Sequence, residues 1–395
     1  MPGPNRTQFS QLRGATRMVF DATAGAAAVV EKMHRTIQSR PPPFGHSTTG
    51  RTPGITGLIY RGIGDGLRVV GRGVDAGFAA VGALLPEGES TPAHEAFVSA
   101  VNGVYGDYLA RTGNPLAIEM ALRYGGRRIV PADPAAVSTN ERDAAPTGRL
   151  LVLVHGLCLT DRQWTRKGHD HGAALADELG YTPLYLRYNS GLHVASNGRS
   201  FADLLDTLIR NWPQPVQDVT IIGHSMGGLI ARSACHYGRE SGHTWPERVH
   251  KLVFLGTPHQ GAPLERGGHW LDFAMELSPY SAPLTQIGKM RSAGIRDLRH
   301  GTITSGKHEF VPLPAGVKCY AAAATIGVRR SVLSEQLVGD GLVPLDSALG
   351  RHSDAAQSLA IPQDRQWIGY GMGHLDLLNR PEVYAQLRVW LRETR

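Results

Sequence analysis

Cysteine is nearly missing from this chain: 395 residues carry three, Cys158, Cys235 and Cys319, with no two in C-x-x-C spacing. So sparse and odd a set excludes a disulfide framework and a cysteine-held metal, and it reads as the reduced structural thiols of a cytoplasmic protein. No apolar run reaches the roughly 18 residues that a membrane-spanning helix needs. The amino-terminal stretch has Arg6, Arg13 and Arg17 and an alanine-rich segment from Ala22 to Val30. Asp21 and Glu31 interrupt that segment and no convincing cleavage site follows, so no secretory leader is expected. Neither aromatic-basic interleaving nor zinc-finger spacing occurs, which removes nucleic acid as an expected partner. Internal repeats and low-complexity tracts are also missing.

What is present is ordinary for a globular protein: 42% apolar residues, 19% charged and 48 glycines, enough chain for a large α/β domain with an accessory segment. The charge is unevenly spread. Residues 1–85 hold ten Lys/Arg against four Asp/Glu, a local +6 of the formal net +7, and that favours an anionic surface such as membrane lipid. Residues 1–115 read as a helical, basic and amphipathic extension. Val19, Ala26, Val30, Met33 and Ile37 form one helical stripe, ended by Pro41-Pro42-Pro43. In a second helix Ile59, Ile63, Leu67, Val70, Val74, Phe78, Val81 and Leu85 share one face and Arg61, Arg68 and Arg72 the opposite one. This helix either packs on the main domain with its arginines in water, or lies at an anionic membrane surface as a peripheral contact through residues 55–85. A third helix starts at Thr91-Pro92 and runs towards Leu109.

From residue 116 the period changes. Ile118, Met120, Leu122 and Tyr124 alternate, Gly125-Gly126 turns, and Arg128-Ile129-Val130 returns as a hairpin. A polar linker, 131–147, leads into Leu150-Leu151-Val152-Leu153-Val154, a continuous apolar run of the kind a parallel sheet buried on both faces requires. Further strands are expected at Leu184–Arg187, Val219–Ile222, Leu252–Leu255, Val317–Ala321 and Gln366–Gly369. Helical patterns fall between them at Gly172–Leu179, Phe201–Trp212, Leu229–Tyr237 and Glu382–Arg392. The alternation predicts an α/β fold over 116–395, a doubly wound, mostly parallel sheet with its sites at the carboxyl ends of the strands.

Chemistry concentrates at those strand ends. Gly223-His224-Ser225-Met226-Gly227 lies between a strand and a helix, the pattern of a nucleophile elbow in which small neighbours clear space for a serine held on a strained turn. A serine hydroxyl needs a base, and the base a carboxylate to fix its tautomer. His374 and Asp340 fall in glycine-rich loops downstream, and Ser225, Asp340, His374 is the α/β-hydrolase chain order. Asp346 and Asp376 are nearby competitors for the acid. Two backbone N–H groups, of Met226 and of Leu157 in His155-Gly156-Leu157, would hold an oxyanion, each worth on the order of 3 kcal/mol. His155 itself would orient the loop. Tyr188-Asn189-Ser190-Gly191 and Ser196-Asn197-Gly198-Arg199 either shape the pocket or are simple turns.

Over roughly residues 148–395 the chain resembles the serine lipases and esterases of the α/β-hydrolase superfamily. The resemblance rests on His155-Gly156-Leu157, Gly223-His224-Ser225-Met226-Gly227-Gly228, Gly256-Thr257-Pro258-His259-Gln260-Gly261, Asp340-Gly341-Leu342-Val343 and His374-Leu375-Asp376. These are similar to motifs of bacterial true lipases and of deacylases acting on lipid-linked glycans, which implies an ester as the scissile bond. Bacterial lipases often hold calcium through the aspartate matching Asp376. Here the only acids between residues 299 and 339 are Glu309 and Glu335, so no metal or other cofactor is expected, and Asp376 is expected to cap or orient the final helix instead. Ala262–Pro314 would form a lid, with Trp270, Phe273 and Tyr280 lining an acyl site, or else a surface excursion with its own small core. The expected function is hydrolysis of hydrophobic acyl esters through an acyl-enzyme. The alternatives are acyl transfer or polyester (polyhydroxyalkanoate-type) depolymerisation at the same residues, and a membrane- or granule-surface binding protein with secondary hydrolase activity. Oligomeric state is not legible.

Overall fold

A computed structural model of the full chain describes residues 92–132, 145–262, 292–306, 310–327 and 339–392, together with residues 10, 13, 14, 16–18, 20, 21 and 75. The amphipathic stretch 55–85, except Asp75, lies outside the described residues, as do Trp270, Phe273, Tyr280 and most of the expected lid. The chain divides into two units, Met1–Pro92 with Arg111–Leu116, and Ala93–Ala110 with Ala117–Arg395. In the first, Arg13 and Asp75 pair through two bonds of 2.7 and 2.8 Å, and Arg17 donates to Thr112 O at 2.6 Å.

The second unit is built on helix α1 (Pro92–Arg111) and strands β1 (Ala121–Tyr124), β2 (Arg127–Arg128) and β3 (Arg149–Val154). There follow α2 (His171–Leu179), β4 (Thr182–Arg187), α3 (Val194–Arg210), β5 (Asp218–His224), α4 (Met226–Glu240) and β6 (Val249–Leu255). After these come α5 (Ala293–His300), β7 (Lys318–Thr325), β8 (Gln366–Tyr370) and α6 (Pro381–Arg392). Eight described strands make one sheet in the order β8-β7-β6-β5-β3-β4-β1-β2. The six from β8 to β4 are parallel, and β1 and β2 add an antiparallel edge. The Gly125-Gly126 turn between β1 and β2 has φ of 53° and 77°, the left-handed region that glycine enters at little cost.

Each face of β3 feeds its own core. Leu150, Val152 and Val154 pack with Phe201 and Leu205 of α3 and Leu229 and Ile230 of α4, whereas Leu151 and Leu153 pack with Leu175 of α2 and Leu387 and Trp390 of α6. Burial on both sides explains why β3 reads as an unbroken apolar run. The largest difference from expectation is at α3, which begins at Val194, not near Phe201. Ser196-Asn197-Gly198-Arg199 is therefore helical, and a Cβ on Gly198 would stand 2.0 Å from Ser233 Oγ of α4. The glycine serves close helix packing, which turn propensity conceals.

Strand order reverses at β3, whose neighbours β4 and β5 follow it in sequence on opposite sides. Such a switch point opens a crevice at the carboxyl ends of the strands. Register sets its contents: Val154 pairs with Gly223, so the turn after β3 emerges beside the turn after β5.

Candidate functional site

Ser225 follows β5 with φ 54° and ψ −125°, a conformation that a residue with a Cβ holds only under constraint. Its N–H donates to Leu255 O at 2.8 Å, and Gly228 N–H donates back to Ser225 O at 3.1 Å. The turn closes because Gly227 has no side chain: a Cβ there would stand 2.1 Å from Val154 O and 2.6 Å from His155 O. Met226 opens α4, where a backbone N–H has no acceptor within the helix and the helix dipole is positive.

The turn after β3 lies against this elbow, since a Cβ on Gly156 would be 3.0 Å from the Ser225 Cβ. Leu157 comes next and is buried. Cys158 then takes φ 60°, with its N–H donated to Ser190 Oγ at 3.1 Å. His155 holds the turn from behind. Its Nδ1 meets Gly156 O at 2.9 Å, its Nε2 accepts from Tyr188 N–H at 3.4 Å, and its ring stacks on that of Tyr188 at 4.3 Å. The Tyr188 hydroxyl donates to His155 O at 2.7 Å. An imidazole that accepts at Nε2 carries its proton on Nδ1, and burial lowers the His155 pKa to about 4, so the ring is neutral and structural.

The acid and base expected from the sequence meet. His374 Nδ1 bonds Asp340 Oδ2 at 2.6 Å, and Asp340 Oδ1 accepts from Leu342 N–H at 3.0 Å and Val343 N–H at 2.8 Å. Both side chains are buried. The competitors do other work. Asp346 is exposed beside Arg351 at 3.6 Å, and Asp376 Oδ2 accepts from Gly373 N–H at 3.1 Å. Asp376 thus caps the short turn His374–Leu378 and not the final helix, because the chain makes a separate one-turn helix before Pro381. Two buried histidines fasten the same turn by its carbonyls. His224 Nε2 meets His374 O at 3.2 Å, with the two rings 4.7 Å apart, and His171 Nε2 meets Leu377 O at 3.1 Å. Burial holds His224 well below the usual histidine range and His171 at about 4. His224, adjacent to Ser225, therefore links the elbow to the turn of His374.

Tyr188, Ser190, His171 and His224 as supports were not identified from the sequence. Only the polar cluster at the end of β4 hinted at the first two. The thiol of Cys158 is pushed up to about 12 by burial, so it stays protonated and offers no competing nucleophile. Among the described residues no group of three or more His, Cys, Asp or Glu could hold a metal ion, and no helix is long and apolar enough to cross a membrane.

With strands, crossovers and serine elbow arranged in this way, the fold is that of the α/β-hydrolase superfamily. Within it, residues 145–318 match the family model described as PGAP1-like alpha/beta domain. That match spans Leu157, Ser225 and Met226, while Asp340 and His374 lie beyond it. No curated protein matches the sequence. Among solved structures the chain is similar to Bacillus licheniformis lipase BlEst2 in mature form, with 19% identity, TM-score 0.43, and 63% of this chain and 93% of that one covered. It is also similar to a lipase-esterase related protein from Clostridium acetobutylicum (15% identity, TM-score 0.33, 62% and 94% covered) and to Staphylococcus hyicus lipase (13%, 0.36, 62% and 96%).

Proposed function

We propose that the protein is a serine carboxylic-ester hydrolase of lipase or esterase type, acting on hydrophobic acyl esters through an acyl-enzyme. Ser225 Oγ attacks the ester carbonyl as His374 Nε2 takes its proton, and Asp340 keeps the other imidazole proton on Nδ1 and offsets the charge that develops. The N–H groups of Leu157 and Met226 receive the carbonyl oxygen as it becomes an oxyanion. His374 then protonates the departing alcohol, and a water activated by the same imidazole releases the acid. The observation that carries this reading is the 2.6 Å Asp340–His374 bond, taken together with a serine held in a strained strand-to-helix turn.

The buried apolar side chains of Leu157 and Met226, the residues whose N–H groups are assigned to the oxyanion, support a hydrophobic acyl group, and residues 262–314 are proposed as its lid. The arginine face of residues 55–85, within an amino-terminal region of net positive charge, supports peripheral contact with anionic membrane, and three buried thiols outside any disulfide suit a reducing cytoplasm. Hydrolysis of short and long p-nitrophenyl esters tests the assignment. Wild-type turnover is expected, with a loss of about 10⁴-fold or more in Ser225→Ala. An inactive wild type, or turnover that survives Ser225→Ala, overturns it.

A further inference from the structure

The oxyanion turn has a second support, from a helix outside the family-matched residues 145–318. Gly103 lies in the interior of α1, a position that ordinarily disfavours glycine. A Cβ there would stand 2.2 Å from Cys158 Sγ and 3.1 Å from both Cys158 N and Cα. Cys158 is the residue after Leu157, and its φ of 60° belongs to a conformation that side chains resist unless their surroundings impose it. The imposing groups surround it. Its N–H is bonded to Ser190 Oγ at 3.1 Å, and its thiol points to Ala100 O of α1 at 3.9 Å. Asn189, beside Ser190, donates to Gly106 O of α1 at 2.9 Å. On the far side Ser292, which caps α5, donates to Gly103 O at 2.6 Å.

We infer that α1 is a positioning element for the reaction: the bare backbone at Gly103 holds Cys158 in its left-handed conformation and thereby aims the Leu157 N–H at the oxyanion. The inference rests on the ester-hydrolase reading above. Gly103 touches no substrate and acts through Cys158. Any side chain at 103 pushes the turn away from α1, and an oxyanion donor is sensitive to displacement because it works only when aimed at the developing charge.

The test uses the full-length protein with p-nitrophenyl butyrate, and every rate is divided by the serine that a fluorophosphonate titrates. Gly103→Ala is expected to lower kcat per titrated serine by about 100-fold, the loss typical of one oxyanion donor, with KM changed less than about threefold because the ground-state carbonyl uses the donor less. Adding Cys158→Ala removes the sulfur that the new methyl meets and restores kcat to within about tenfold of wild type, whereas Cys158→Ser keeps an atom in that place and does not rescue. Two results overturn the inference: wild-type kcat per titrated serine in Gly103→Ala, with or without a fall in titratable protein, or equal rescue by the alanine and serine changes. A wild type with no Ser225-dependent turnover refutes the ester-hydrolase reading instead, so the two failures are distinguishable.

Discussion

Replacing Asp340 by Asn removes a charge while leaving shape almost intact, and the surrounding donors dictate how the amide must sit. The Oδ1 position faces two backbone donors, Leu342 N–H and Val343 N–H, so the amide oxygen takes it and the NH₂ is directed at His374. At 2.6 Å from Nδ1, that NH₂ cannot face an N–H, and the imidazole must move its proton to Nε2. A base protonated at Nε2 cannot accept the Ser225 proton. The expected loss is about 10⁴ in kcat, roughly 5 kcal/mol of transition-state stabilisation, with KM little changed and the fold retained because both backbone donors remain satisfied. Steady-state kinetics on a p-nitrophenyl ester, with circular dichroism as the control for folding, provides the assay. A variant that keeps more than about a tenth of wild-type kcat while remaining folded would refute the tautomer argument and with it the role of Asp340.

Gly227→Ala places a methyl 2.1 Å from Val154 O, where only backbone could yield. A loss of about 2–3 kcal/mol is expected in urea unfolding, and an unchanged midpoint would show that the elbow is looser than drawn. Acid should weaken the fold through its buried histidines. His155 and His171 have folded pKa values near 4, below the unfolded value of about 6.5, so the unfolded chain binds protons first and stability falls as pH drops from about 6.5 towards 4. At pH 5 each contributes a loss of about 2 kcal/mol. Urea titrations at pH 7.5 and 5 measure the sum over all the buried histidines, with His224 and His259 adding to it because burial lowers them too, and His171→Gln should flatten the slope; a slope left unchanged counts against a neutral His171. Replacing Arg61, Arg68 and Arg72 by Glu should abolish pelleting with anionic vesicles at low salt and leave turnover of a soluble short ester intact. Equal pelleting of the variant would place the basic face elsewhere.

Where periodicity carries the information, sequence and structure agree closely. The apolar run of β3, the hairpin at Gly125-Gly126 and the helix opening at Pro92 all follow from local propensity and burial. Ser225, Asp340 and His374 are legible as candidates because each follows a strand in a diagnostic order, with Asp340 already ahead of Asp346 and Asp376 on sequence grounds, and the structure brings Asp340 to His374. What stayed hidden depends on polar groups meeting across long sequence distances. His171 reaches Leu377, Tyr188 reaches His155, and Ser190 reaches Cys158, and none of these pairings leaves a periodic trace. The start of α3 was hidden for another reason: Asn197 and Gly198 look like turn residues until helix α4 is placed against them.

His374 is carried by the turn after β8, the outermost described strand, while Ser225 follows β5 in the interior of the sheet. Sheet edges open by local fluctuation more readily than sheet centres. If His374 is the base of the proposed reaction, it is expected to detach while the serine elbow remains folded, so that the hold of one flank of the sheet, and not the stability of the whole, would set the working lifetime of the protein. Strengthening the β7–β8 pairing would prolong activity under mild denaturing conditions with little effect on the global transition, whereas an equal gain in the central core would leave the working lifetime where it was.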